Sequence, residues 1–307
     1  MSLHQSSGRW RLGLGLSLLT VLLWGILPLA LSVTLQVLDV YTVIWFRFLV
    51  SFVLISIYLG IRGNLPKLEQ LHSASWKLLA IATLFLGINY FLFMQGLALT
   101  SPANAEVLIQ LSTLLLGFGG LVIFKERYRL YQWIGVSVMI CGYVLFFGEQ
   151  LTNLITVHGT YLLGSFLIML GATAWAIYAL VQKQLLQSLS SSSIMLIIYG
   201  GCALLFTPLA RVKSLFTLDL FHLGMLIFCA LNTLIAYGAF AESLEHLEAS
   251  RVSAVIALAP ILTLISVAVV SVIAPDWIPS ENFSFIAILG AGLVVIGSVA
   301  IALGKAD

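Results

Sequence analysis

Tyr90-Phe91-Leu92-Phe93-Met94-Gln95-Gly96-Leu97 returns 147 positions later as Tyr237-Gly238-Ala239-Phe240-Ala241-Glu242-Ser243-Leu244. The frame continues and sets Val107-Leu108-Ile109-Gln110-Leu111 against Ala254-Val255-Ile256-Ala257-Leu258. A loop insertion then moves the offset to 155, so that Glu126, Gly135 and Gly142 face Glu281, Gly290 and Gly297. Both copies are almost wholly apolar. Duplicated apolar bundles are an architecture of secondary transporters, in which substrate binds near the bilayer midplane between the repeats. The duplication therefore bears on function as well as on fold.

The composition sets the solvent. The chain has 307 residues, 61% of them hydrophobic and 8% charged, with a mean hydropathy of +1.11. Soluble domains carry about 25% charged residues, so this chain is an integral membrane protein whose first partner is the lipid bilayer. A net charge of +2 scattered along the sequence excludes a nucleic-acid surface. Cys141, Cys202 and Cys229 lie in apolar runs and read as small packing residues. His4, His72, His158, His222 and His246 fall in tails, loops or their edges, and no metal-ligand spacing links them. Neither a metal nor a cofactor is expected.

A membrane span needs roughly 20 apolar residues. Ten segments qualify, at about 12–35, 41–61, 76–98, 103–124, 131–148, 159–182, 193–211, 221–242, 250–274 and 284–303. The first follows Arg9-Trp10-Arg11 and is too long for a signal peptide, so it reads as an uncleaved span. Lys and Arg set the orientation. With the N-terminus in the cytoplasm, eleven of them face in, from Arg9 to Lys305, while Arg211 and Lys213 face out. Both termini are then cytoplasmic. The repeat boundary falls near 149–158, giving a first unit over 1–150 (spans one to five) and a second over 151–307 (spans six to ten). Five spans per unit is an odd number, so matched spans run in opposite directions. The expectation is an all-α integral membrane protein of ten transmembrane helices in a five-plus-five inverted-topology repeat.

Particular residues carry a resemblance. They are Leu23-Trp24-Gly25 with Pro28, Arg47-Phe48, Ala103-Asn104-Ala105-Glu106-Val107-Leu108, and Lys125-Glu126-Arg127 followed by Gly135 and Gly142. Ala174-Trp175-Ala176 with Tyr178, and Ala259-Pro260, Glu281, Gly290 and Gly297, extend the set into the second half. In this order and spacing the chain resembles the drug/metabolite transporter superfamily, in its EamA-type branch. The resemblance implies a carrier of the cytoplasmic (inner) membrane that moves a small metabolite, often exporting amino acids or related compounds. It also implies a cavity lined by spans one, three, four, six, eight and nine. The second copy departs from the first at Ala274-Pro275-Asp276-Trp277-Ile278-Pro279-Ser280, which lengthens one loop.

Arg47 is the leading site residue. An Arg within a span costs about 2.5–3.5 kcal/mol on insertion scales and usually faces a cavity or a partner. Its guanidinium can clamp a substrate carboxylate, or it can snorkel or pair structurally. Glu106 is a proton-coupling group, the ion-pair partner of Arg47, or an anion capping the N-terminus of span four. Trp24, Tyr90, Gln110, Trp175, Tyr178 and Tyr237 are candidates for a polar and aromatic cavity lining. Trp24 and Trp175 are repeat mates, as are Tyr90 and Tyr237. Pro28 and Pro260 sit inside spans one and nine and are candidate hinges. Gly135 with Gly142, and Gly290 with Gly297, each place small residues on one helix face and predict close helix packing. Glu242, Glu245 and Glu248 read as a solvated loop face.

No nucleotide-binding loop suggests ATP use, so a gradient or exchange would drive transport by alternating access. Catalysis would need clustered acids, histidines or a nucleophile–base pair at depth. None is evident, so the chain is not read as an enzyme. A channel or a non-transporting membrane partner is the remaining alternative. One chain completes the repeat, so a monomer suffices.

Overall fold

The computed structural model describes residues 9–66, 75–123, 129–154, 159–247, 249–277 and 284–302. These residues form helices and turns with no strand among them. Each of the ten expected apolar segments is helical, eight as single helices and two as interrupted pairs. The first half comprises α1 (Trp10–Thr34), α2 (Val40–Ile61), α3 (Trp76–Leu99), α4 (Pro102–Ile109), α5 (Leu111–Ile123) and α6 (Leu130–Leu154). The second comprises α7 (Gly159–Leu185), α8 (Ser191–Phe206), α9 (Leu220–His246), α10 (Ala249–Ile256), α11 (Ala259–Ile273) and α12 (Phe285–Ala302). Six helices have the length and apolarity to cross a membrane, and three more are shorter and apolar. Lys125-Glu126-Arg127, Glu281, Glu248, His4, His72 and His158 lie outside the described residues.

Side-chain caps start the helices where the chain leaves each turn. Asp39, Ser75, Ser101, Ser190 and Asp219 accept from backbone N–H groups in the first turns of α2, α3, α4, α8 and α9. In the serine-rich stretch from Ser188 to Ser193, where the composition alone reads as a loop between spans six and seven, Ser191 to Ser193 form the first turn of α8. Glu242 and Glu245 likewise lie in the last turns of α9, half-buried, rather than in a solvated loop.

The packing is reciprocal. Helix α1 lies against α9 and α11, and α7 lies against α3 and α5. Helix α2 packs on α8, and α6 packs on α12. The α6–α12 contact depends on the four glycines. A Cβ on Gly297 would fall 2.5 Å from the Met139 backbone N, and one on Gly142 would fall 2.7 Å from the Gly290 carbonyl O. Only hydrogen at these positions lets the two backbones touch.

Two helical segments are interrupted at corresponding points. Between α4 and α5, Gln110 N–H donates to Val107 O and Thr113 N–H to Gln110 O. Between α10 and α11, Leu258 N–H donates to Val255 O and Ile261 N–H to Leu258 O. Both are i to i−3 bonds, which tighten the turn and re-aim the helix that follows. Pro260 is therefore not an interior kink. It occupies the first turn of α11, where its missing N–H leaves no helix bond unmade. Pro28 does lie within α1. Side chains from two other helices hold the carbonyls around it: Asn232 Nδ2 donates to Leu23 O at 2.6 Å and Thr263 Oγ1 to Gly25 O at 2.7 Å.

Candidate functional site

The largest aromatic side chains of both halves converge between α1, α3, α7 and α9. Trp24 meets Trp175 edge-on with ring centroids 6.0 Å apart, and Tyr90 meets Tyr237 at 5.5 Å. Phe48 and Tyr199, each nine residues past the N-caps Asp39 and Ser190, approach to 6.1 Å. These three pairs of rings meet at one centre.

A cavity opens at this centre, with about 80 Å³ of space for water-sized molecules, enough for several waters. Spans one, three, four, six, eight and nine all contribute, as the resemblance implied, and Arg47 adds α2 to the wall. Trp24 and Pro28 come from α1, Tyr90 from α3, Trp175 from α7 and Tyr237 from α9. Gln110 reaches it from the interruption between α4 and α5, beside Ser112 and Thr113. Tyr178 does not line the cavity. It is fully buried behind Trp175, and its hydroxyl donates to Met195 Sδ at 3.6 Å.

Arg47 is 2% exposed and does not snorkel. Its Nε donates to Thr233 Oγ1 at 2.8 Å, and its guanidinium lies 4.6 Å over the Tyr90 ring. Nη1 reaches Met94 Sδ at 3.6 Å. Thr233 donates in turn to Cys229 O, and its own carbonyl accepts from the Tyr199 hydroxyl at 2.9 Å. This relay holds the guanidinium over Tyr90 on the wall of the cavity. Glu106 lines the same cavity at 5% exposure. It lies in α4, five residues past the N-cap Ser101. Among the described residues neither Arg47 nor Glu106 has an oppositely charged partner within salt-bridge distance. The expectation that they neutralise each other is not met.

Two further polar groups lack partners. Trp24 Nε1 makes no hydrogen bond, and the Tyr90 hydroxyl lies beside Thr233 and Tyr237 without a well-formed bond to either. Thr233 is the functional residue that sequence reasoning misses. The signal that points to it is the polar pair Asn232-Thr233 in the middle of an apolar helix.

A buried cation, a buried acid and unpaired donors on one aromatic-walled cavity can bind a small polar molecule from several sides. Comparisons with other proteins agree with a transport role. A protein of Escherichia coli strain K12, named as the uncharacterized inner membrane transporter YhbE, is 34% identical over 294 residues, 95% of this chain and 92% of its own length. An uncharacterized transporter of Haemophilus influenzae is 33% identical over 95% of both chains. A solved crystal structure is similar in fold, with a TM-score of 0.67 over 96% of this chain and 98% of that one, at 16% identity. The EamA-like transporter family matches twice, over residues 11–148 and 162–303. With this double match across an all-helical membrane protein, the chain belongs to the EamA-like transporter family.

Proposed function

We propose that the protein is a secondary carrier that exports an amino acid or a related zwitterion across the cytoplasmic membrane by alternating access. One observation carries the reading: Arg47 and Glu106 share a buried cavity without pairing. A buried charge without a partner is costly in a membrane, and a zwitterion offers a partner to each. Its carboxylate would lie on the guanidinium, held from behind by Thr233 and Tyr90. Its ammonium would lie towards Glu106 and the Trp24, Trp175 and Tyr237 rings, whose faces attract cations. Glu106 is then also the residue through which a proton could be exchanged for substrate.

Ten spans in an inverted five-plus-five repeat, with units over 1–150 and 151–307, are the architecture we infer. The double family match, the reciprocal helix packing and the matched interruptions at Gln110 and Ala257-Leu258 support it. Interrupted helices in corresponding positions of two halves are a pointer to a carrier's binding site. Pro28, on the cavity wall, and the turn before Pro260 are where α1 and α11 would flex. A monomer, with both termini in the cytoplasm, completes this arrangement.

The test is counterflow. Purified protein in liposomes loaded with one amino acid is offered the same labelled compound, across a panel of amino acids and organic cations. Saturable uptake driven by the internal pool, competed by analogues, is expected. Flux that never saturates would identify a channel. Exchange of organic cations alone, with no zwitterion moved, would remove the role given to Arg47.

A further inference from the structure

A second groove lies at the other end of the bundle, between α2, α8 and α9, and has no part in the carrier site. It offers about 280 Å³ of space for water-sized molecules. We propose that it is a binding site for one phospholipid with a zwitterionic headgroup ending in a primary ammonium, as in phosphatidylethanolamine. The inference rests on these helices spanning a bilayer.

The two halves treat the same place differently. Tyr41 and Ser192 each stand two residues past an N-cap, Asp39 and Ser190, and Phe91 and Gly238 each follow a repeated tyrosine. In the first half Tyr41 and Phe91 stack with centroids 5.3 Å apart. In the second half their counterparts Ser192 and Gly238 line the groove. Phe206, sixteen residues past its N-cap, lies 3.5 Å from where a Cβ on Gly87, one turn before Phe91, would sit. Its counterpart Ile55 borders the groove. Two rings are therefore missing where the second half could pack them, and a Cβ on Gly238 would meet nothing within 4 Å. An apolar chain entering this groove would bury its surface against Ile55, Met195 and Leu234.

The lining has the polarity of a phospholipid. Ser191 and Tyr199, and Glu242 and Leu234, are each eight residues apart on one helix face, so the slot runs about 12 Å along the helix axes. Its inner part is Ile55, Met195, Leu234 and the ring of Tyr199, whose hydroxyl is already bonded to Thr233 O. An acyl chain matches that surface. Its outer end, at the helix termini, carries Ser191, Ser192 and Glu242, with Tyr58 beside them. Arg62, exposed at the end of α2, lies over the Tyr58 ring with its guanidinium carbon 5.3 Å from the centroid. Arg62 and the first turn of α8 suit a phosphate, and Glu242, 3.5 Å from His246 Nε2, suits an ammonium. One positive and one negative partner at the mouth of an apolar slot select a zwitterionic headgroup over an anionic one. A carboxylate accepts hydrogen bonds from a primary ammonium, whereas a quaternary one has none to donate.

The experiment uses the full-length purified protein. Native mass spectrometry measures retention of dioleoyl phosphatidylethanolamine, phosphatidylcholine and phosphatidylglycerol. Phosphatidylethanolamine is expected to bind in preference to the other two. Gly238→Phe should fill the slot and weaken that binding by about tenfold or more, a loss of about 1.4 kcal/mol, with the unfolding midpoint in lipid-free detergent unchanged. Ser192→Leu is a second plug at another helix. Glu242→Gln should abolish the preference for ethanolamine over choline while leaving a lipid bound. Equal retention of the three lipids by the wild type, or undiminished phosphatidylethanolamine binding in whichever plug variant is folded, would overturn the proposal. No transport substrate enters this measurement, so its outcome is independent of the counterflow test.

Discussion

Arg47 is held by geometry as much as by charge. A lysine in its place keeps the positive charge but lacks the Nε donor to Thr233 and the flat face that lies on Tyr90. Arg47→Lys and Arg47→Ala are both expected to yield folded protein with substrate affinity reduced by about 1.5–3 kcal/mol, on the order of tenfold to a hundredfold. Thr233→Val should weaken affinity in the same direction with the maximal rate retained, and Thr233→Ser should restore it. Binding isotherms beside counterflow rates separate these outcomes. Wild-type affinity in Arg47→Ala would end the clamp reading, whereas wild-type affinity in Thr233→Val alone would end only the positioning role. The sequence makes Arg47 conspicuous because a lone cation in an apolar run is costly. It marks Thr233 only through the polar pair with Asn232, because a threonine hydroxyl can always bond its own helix, as Thr233 does at Cys229 O.

Among the elements, α6 and α12 give the sharpest mechanical test. Gly297 has backbone atoms of α6 within 2.6 Å of a would-be Cβ, whereas Gly292, on the same helix, has nothing within 4 Å. Gly297→Leu should therefore destabilise by about 1–3 kcal/mol or more through overpacking. Gly292→Leu should leave the unfolding midpoint nearly unchanged. A thermal melt in detergent reads both, and equal midpoints would mean that the two helices separate at no cost. The seven-residue spacing of these glycines makes their shared face legible in the sequence. The first interruption is not legible there, because Ile109-Gln110-Leu111 contains no glycine or proline. The second is marked by Pro260, which lacks the N–H that would bond Ile256, the last residue of α10.

Across the whole molecule, the proposed orientation has a direct readout. In a cysteine-free background, Lys213→Cys should react with a membrane-impermeant thiol reagent added outside cells, and Lys77→Cys should react only after the membrane is opened. Labelling of both from outside would break the assignment by positive charge and, with it, the inverted repeat. The same orientation would put the central cavity in the outer and middle part of the bundle and the α2–α8–α9 groove at the cytoplasmic end. The two are separated by Tyr199 and Thr233.

The amino-acid sequence by itself determined the solvent of this protein, its helical segments and its internal duplication. These follow from composition, from the length of apolar runs and from a repeated frame, none of which requires knowing what touches what. Only the tertiary structure decided which polar side chains meet. A membrane helix that is apolar all round has no amphipathic stripe to say which face looks inward, so the sequence could not tell that Tyr178 turns behind Trp175 while Tyr237 faces the cavity. Nor could it tell that Arg47 and Glu106 share one cavity without pairing. Those outcomes depend on how α2 and α4 settle against α9 and α7, where differences of a few ångströms determine whether opposite charges meet or stay apart.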